Sequence, residues 1–531
     1  MSGTKLYLRQ NVQVEPLFNQ WYAWTHLIAP QTAAMNIANS HVKKMQSYVA
    51  APKLHADAVR NPAMLGGPFI DYQGGRVAEI RALLASTLKH QAHMLRFAQS
   101  VQDLDQTLRE EAKGYSLIPL YERVPENLKG YVELVYDLNN HPSIKFVEGL
   151  LYQSPYYCRS LQGVLMSLVY QDERPFALST PRLPGPGSLL LNIPFESGAL
   201  DELFRMKETP QPPGRVAELL GLSEQEDEVF RTFLTEEPPP PQPRYEGDGI
   251  SIRYFGHACL LIETRGLNIL VDPVISYTYD SELSRYRYPD LPETIDYVLI
   301  THGHQDHILF ETLLQLRHKI RTVILPRGGS GQLQDPSLKL ILRHVGFKNV
   351  VELDDMETIE VEGGSITGVP FFGEHADLNV SSKVAHLIRL RGKTFLFAAD
   401  SNNVEPKLYE HVRRALGGVD VLFLGMECDG APLSWLYGPL LTQALERKMD
   451  QSRRLSGSDY ERGIRIVEQL GCREVYVYAM GQEPWLNYIM SIKYTEQSPP
   501  IVASNRLIEA CRERGIVAER LFAKKEIGYG R

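Results

Sequence analysis

Tyr297-Val298-Leu299-Ile300-Thr301-His302-Gly303-His304-Gln305-Asp306-His307 is the segment whose reading decides the fold. An apolar, β-rich run leads directly into three histidines and an aspartate. In extended chain the side-chain period is two, so His302 and His304 point to one side and can grip one metal ion. If the chain then turns into a helix, Asp306 and His307 diverge and suit a second ion a few Å away. Neutral imidazole with carboxylate fits zinc, iron or manganese. In a chain with 15 histidines, a HxHxDH pattern arises by chance in roughly one sequence per thousand.

Working outward, short β-rich runs surround this segment. They are Ile250–Phe255, Ala258–Glu263, Asn268–Val271, Thr322–Leu325, Ser365–Pro370, Val384–Leu390 and Thr394–Ala399. Strands at Val419–Gly425 and Glu474–Ala479 then alternate with helical patterns at Glu405–Ala415, Glu461–Leu470 and Asn505–Arg514. Tightly connected strands followed by alternating strand and helix predict an α/β sandwich.

Upstream lies Glu236-Glu237-Pro238-Pro239-Pro240-Pro241-Gln242-Pro243. Consecutive prolines hold a stiff, extended spacer. The expected division is therefore an α+β domain over 1–235, a proline-rich linker over 236–249, and the metal domain over 250–531. In the front part, apolar residues from Val77 to Leu108 recur mostly every three or four positions, which predicts one long helix from Gly75 to Lys113. His41, His55, His90 and His93 follow no ligand spacing and are read as structural or solvated.

The 531 residues carry 56 basic and 64 acidic side chains, a net charge of −8. That balance argues against a general nucleic-acid surface and leaves room only for a local basic patch. No apolar run approaches the roughly 20 residues needed to span a bilayer. Five widely spaced cysteines form no CxxC pair, and the N-terminus lacks the basic-then-apolar pattern of a secretory signal. A reducing, cytoplasmic setting is expected, without nucleic acid or membrane as a partner.

The HxHxDH segment at a strand end resembles the metallo-β-lactamase superfamily, which implies an αββα sandwich. Asp272, in Leu270-Val271-Asp272-Pro273, stands where that family places an aspartate supporting the metal loop. Asp400, in Phe397-Ala398-Ala399-Asp400, stands where it places an aspartate bridging two metals. Two departures follow. The usual histidine between His307 and Asp400 falls in Phe371-Phe372-Gly373-Glu374-His375, where neighbouring side chains face opposite ways and only one of Glu374 and His375 reaches the metal. The usual final histidine is missing, because His411 is the last in the chain.

In these departures the chain resembles the dinuclear-iron β-hydroxylases of nonribosomal peptide biosynthesis, a branch that includes a chloramphenicol-pathway enzyme. The resemblance implies Glu374 in the histidine's place, with His302, His304 and Glu374 on one iron, Asp306 and His307 on the other, and Asp400 bridging. It implies two iron ions, oxo-bridged when oxidised, together with O2 and an external electron donor or reductase. The implied reaction is hydroxylation at Cβ of an aminoacyl thioester on a carrier-protein domain of a nonribosomal peptide synthetase. A front domain that dimerises and docks partners is implied as well, hence a homodimer. A dinuclear zinc hydrolase is the competing expectation, since HxHxDH and Asp400 alone fit activated water equally well.

Further candidates follow from position. Glu427, after the apolar strand ending at Gly425, is an extra ligand, a substrate contact or an ordinary strand-end carboxylate. His257 lies in a turn between two strands, in a supporting or structural role, and Cys428 is a small buried residue. Aromatic clusters at Tyr152–Tyr157 and Tyr277–Tyr288 are core or a pocket for an aromatic side chain. Two basic groups are candidate faces for an acidic carrier protein: Arg317, Lys319 and Arg321, and Arg447, Lys448, Arg453 and Arg454.

Overall fold

The computed structural model describes residues 5–530; residues 1–4 of the front domain and Arg531 of the metal domain lie outside them. Val/Ile/Leu-rich runs form two seven-stranded sheets in the back half. The first contains β1 (Ile250–Gly256), β2 (Cys259–Thr264), β3 (Leu267–Val271), β4 (Ile295–Leu299), β5 (Ile320–Pro326) and β6 (Val350–Leu353). The second contains β7 (Thr358–Val361), β8 (Gly364–Val369), β9 (Ala385–Leu390), β10 (Lys393–Phe397), β11 (Val421–Gly425), β12 (Glu474–Tyr478) and β13 (Val517–Arg520). The last strand, β14 (Lys525–Tyr529), returns to the first sheet, giving the order β6-β5-β4-β3-β2-β1-β14. The second sheet runs from β7 to β13 in sequence order.

Each sheet is antiparallel on one side and parallel on the other. β14, β1, β2 and β3 pair antiparallel, whereas β3 to β6 pair parallel. The second sheet repeats the scheme, parallel from β10 onward. Parallel neighbours send their C-terminal ends the same way, so the loops after β3, β4, β10 and β11 converge at one end. Ile252, Leu260, Ile269 and Leu299 of one sheet meet Ile366, Ile388, Phe397 and Phe423 of the other in the inter-sheet core. Helices cover the outer face of the second sheet through Tyr409, Val412, Ile464, Val467 and Leu507. The architecture is the expected αββα sandwich.

The front half is α+β. Strands Trp21–Tyr22, Val12–Phe18, Gln162–Leu168 and Leu189–Leu191 form an antiparallel sheet in that order. The long helix expected from Gly75 to Lys113 is two helices, Val77–His90 and Ala92–Glu111. Gln91 leaves the helical region (φ −106°, ψ 20°) and breaks the run while the apolar spacing continues across it. Helices Pro30–Asn36 and Val42–Ala50 are joined by a widened π turn at Ile37–His41. Such turns re-aim a helix face and recur at functional sites. Among the described residues no helix is long and apolar enough to cross a membrane.

The two halves share their cores. Val12, Val14, Met166, Leu191 and Phe204 pack in one cluster with Leu261, Leu270, Leu313 and Ile341. Met35, Met94, Phe97 and Leu104 share another with Leu433, Leu436 and Tyr437. Exposing a fully buried Leu or Phe costs about 1.5–3 kcal/mol. A chain beginning near Arg244 is therefore expected to aggregate or bind the hydrophobic dye ANS, where sequence alone suggests a separable metal domain. Cooperative unfolding of that fragment with a sharp near-UV spectrum would contradict this.

Candidate dinuclear metal centre

β4 ends at Leu299, and the next residues deliver the ligands. The Asp272 side chain, just past β3, accepts from the Thr301 N–H (2.8 Å) and hydroxyl (2.6 Å). Its Oδ2 lies 2.8 Å from His307 Nδ1, so His307 donates there and keeps Nε2 for the centre. Nε2 lies 3.0 Å from Asp400 Oδ2, the same oxygen that stands 3.7 Å from His302 Nε2. His304 Nδ1 lies 2.8 Å from Glu374 Oε1, and its Nε2 lies 3.0 Å from the Tyr437 hydroxyl. His257 Nε2 lies 2.9 Å from Asp306 Oδ2.

These side chains form three overlapping groups: His302, His304 and Glu374; His302, His307 and Asp400; His257, Asp306 and His307. In each, one donor atom per residue lies within 4.8 Å of the others. Six of the residues expected from sequence are thus brought together, and His257 touches them. His375 is close as well. Its Nδ1 is 2.8 Å from Glu374 Oε2 without hydrogen-bond alignment, and its ring lies 4.5 Å from that of His304. Glu427 lines the same cavity as Asp306, Glu374 and Asp400.

The backbone is bent to achieve this. His257, Asp272, Glu374, Ala376, Asp377, Ala399 and Ala479 all have left-handed φ between 38° and 68°. Non-glycine residues in this region cost about 1–2 kcal/mol each and concentrate at functional sites.

The donor set suits cations. His302 Nε2, Glu374 Oε2, Asp400 Oδ1 and His257 Nδ1 are buried without a hydrogen-bond partner. Unpaired buried polar atoms are costly unless something coordinates them. Burial disfavours charge on His307, yet Asp400, Asp306 and Asp272 outweigh it and hold the imidazolium well above its ordinary range. Burial likewise opposes ionisation of Glu374, and His304 and His375 overcome it and hold the carboxyl well below the usual value. Burial first, and then the carboxylates of Asp400, Asp306 and Glu374, push Glu427 well above.

Sequence reasoning missed several neighbours. Tyr437 lies 133 residues from the His304 it contacts, and no local spacing announces it. Phe371 packs edge-on against the His302 ring at 5.4 Å. A cavity of about 840 Å³ leads to His304, Asp306, Glu374, Asp400 and Glu427, and front-half residues such as Lys44, His55, Phe69 and Phe176 line it. The front half thus shapes access to the centre besides any docking role. The expected aromatic clusters are absent from its walls. Tyr152 and Tyr157 are core, while Tyr277 donates to Glu311 (2.6 Å), which Tyr22 (2.6 Å) and Tyr488 (3.3 Å) also reach.

The family described as "Diiron non-heme beta-hydroxylase N-terminal domain" matches residues 7–238, and "Beta-lactamase superfamily domain" matches 267–439. The 4-amino-L-phenylalanyl-[CmlP-peptidyl-carrier-protein] 3-hydroxylase of Streptomyces venezuelae is 41% identical over 529 residues, covering 98% of this chain and 99% of that one. The chain belongs to the diiron β-hydroxylase family. The crystal structure of CmlA, a diiron β-hydroxylase from the same organism, superposes with a TM-score of 0.93 at 40% identity, over 99% of this chain and 100% of that one. By contrast, a metal-dependent hydrolase of Methanopyrus kandleri is 34% identical over only 119 residues, 22% of this chain. This diiron β-hydroxylase is accordingly a hydroxylating oxygenase using two iron ions and O2, and the zinc hydrolase alternative is not favoured.

Asp272→Asn can present an amide N–H where His307 needs an acceptor. Partners of this kind set ligand tautomers, and their loss costs about 10–100-fold in metal affinity. Iron retention against a competing chelator should fall by that factor; unchanged retention would show that Asp272 does not hold His307.

Proposed function

We propose that this enzyme hydroxylates Cβ of an aminoacyl group held as a thioester on a carrier protein of a nonribosomal peptide synthetase. The observation carrying this is identity along the whole chain, front half included, with a hydroxylase whose substrate is an aminoacyl carrier protein. The cavity supports it, since its lining includes exposed residues such as Lys43 and Ala63 as well as Glu374 and Asp400 of the centre.

His302, His304 and Glu374 would hold one iron, Asp306 and His307 the other, and Asp400, whose Oδ2 faces both His302 and His307, would bridge. Asp272 orients His307, His257 steadies Asp306 and Tyr437 steadies His304. Bound iron supplies O2 activation. The chain supplies fixed donors, apolar shielding by Phe371, and a fourth carboxylate, Glu427, beside the place where substrate arrives. Hydroxylation puts one oxygen atom of O2 in the product and sends the other to water, so two electrons and two protons enter from outside. An external reductase supplies the electrons.

The two basic groups differ. Arg317 is bound to Asp201 at 2.8 Å, Lys319 is buried against Glu208, and Arg321 donates to Asp296 at 2.8 Å. All three are paired within the chain, Arg317 and Lys319 buried and Arg321 exposed, and the group is set aside as a docking face. In the second group Arg453 donates to the Ala376 carbonyl, Arg447 and Lys448 are exposed, and Arg454 lines the cavity. Carrier proteins are acidic, and this face suits one. Tyr115, Ile118 and Leu138 of the front half are exposed at 81%, 78% and 103%, and exposed apolar side chains of this kind are what a homodimer would cover. Sedimentation should give twice the chain mass.

The test is single turnover from reduced, iron-loaded enzyme and O2, comparing a carrier-tethered aminoacyl thioester with the free amino acid. Hydroxylation of the tethered form, at least about 100-fold faster, is expected if tethering supplies the binding energy used at the reacting centre. Equal rates would overturn the carrier requirement.

A further inference from the structure

The cavity carries Lys43, Lys44 and Arg454 in its lining and ends at the carboxylates of the metal centre; a further carboxylate, Asp429, lies beside Arg454. Asn39, Ser40, Lys43, Lys44 and Ser47 line it from the π turn and the helix Val42–Ala50 that follows. Lys43 is exposed, and among the described residues no carboxylate lies within 4.0 Å of its ammonium. Lys44 is partly buried. Its Nζ donates to the Leu178 carbonyl at 2.8 Å and lies 5.9 Å from the Trp21 ring centroid, again without a carboxylate partner among the described residues. Burial pushes this ammonium down to about 8. An ammonium has three donors, and a withdrawn cation with one neutral acceptor is under-satisfied.

Arg454, from the back half, lines the cavity too. Its guanidinium reaches Asp429 at 3.2 Å and Gln451 at 3.4 Å, and its buried Nε has no acceptor. The inner end holds Asp306, Glu374, Asp400 and Glu427. Such a channel favours one direction of entry. An anionic group is held by the outer cations, while the inner carboxylates Asp306, Glu374 and Asp400 are taken up as iron ligands, so a neutral reacting group is the part that extends to the centre.

We propose that Lys43, Lys44 and Arg454 clamp the phosphodiester of the carrier protein's phosphopantetheine arm, with the aminoacyl thioester directed to the carboxylate end. This rests on the carrier-tethered substrate argued above and adds the subsite that recognises its arm. Both halves contribute, so the clamp is assembled across their boundary.

The experiment uses full-length, iron-loaded enzyme and measures equilibrium binding of pantetheine, of free 4′-phosphopantetheine and of the phosphopantetheinylated carrier. Hydrogen bonds to charged groups contribute about 1.5–3 kcal/mol, so free phosphopantetheine should bind about 10-fold or more tighter than pantetheine. The ratio should fall toward one in Lys44→Met and in Arg454→Gln, and should shrink with ionic strength. Lys129→Gln, an exposed front-half cation paired with Glu126, should leave the ratio unchanged. Iron content and melting temperature report whether each variant is folded. Equal binding of the two free arms by the native enzyme would overturn the clamp. Equal binding of the carrier with and without its phosphopantetheine arm would assign recognition to its protein surface and overturn it as well. Phosphate-dependent binding without turnover of any aminoacyl thioester would instead sink the proposed reaction and leave the clamp standing.

Discussion

Glu374→Ala should retain one iron or fewer per chain and lose more than about 100-fold in hydroxylation, since even outer partners of metal ligands are worth about 10–100-fold. Glu374→Gln should do nearly the same, because it keeps the shape and removes the charge that faces His304. His375→Ala should keep both irons and lose less than about 10-fold. The difference lies in geometry: Glu374 shares a donor group with His302 and His304, while His375 stands behind it, 2.8 Å from its second oxygen. Iron analysis and single-turnover rates read both. If His375→Ala empties a site while Glu374→Ala does not, the neighbours have been assigned the wrong way round.

Asp400→Ala carries the second large effect, and the stabilisation that iron confers should shrink. Asp400 Oδ2 faces His307 at 3.0 Å and His302 at 3.7 Å, so its loss weakens both metal positions. Activity should fall beyond about 100-fold, as for Glu374. Iron at about 1,000 times its dissociation constant stabilises a protein by about 4 kcal/mol, and that increment should shrink in the variant. Without iron, Asp400 pairs with the His307 imidazolium while standing near Asp306, Glu374 and Glu427, so its removal trades a lost ion pair against relieved repulsion. The difference in melting temperature between iron-loaded and chelated protein should therefore be smaller in Asp400→Ala than in native protein. A large drop on chelation in both proteins alike would show that Asp400 contributes nothing specific to iron.

How much of this was legible in the sequence depended on how local the cause was. The segment at 297–307 declares itself because strand period and ligand spacing act over a few residues. Asp272 and Asp400 each end an apolar strand, which marks their place, but their roles were legible only through the family resemblance. β14 was not, because its pairing with β1 joins residues more than 250 positions apart and no local pattern encodes that register. The break at Gln91 was hidden because the apolar spacing continues across it. Tyr437 and Lys44 were invisible as site residues, since their importance comes from packing between the halves. Arg317 and Lys319 misled because a charge run looks solvated until its buried partners, Asp201 and Glu208, are known.

The proline segment at 236–249 marks a covalent seam, whereas the apolar clusters and the cavity both cross it. That has a consequence for recombination. A chimera that joins the front half of one family member to the back half of another at this linker would mismatch Val14 and Phe204 against Leu270 and Leu313, and Met35 against Leu436 and Tyr437. Substrate choice in this fold should therefore be inherited by the chain as a whole. A productive crossover would have to carry helix Val42–Ala50 together with the 429–457 wall it faces across the cavity.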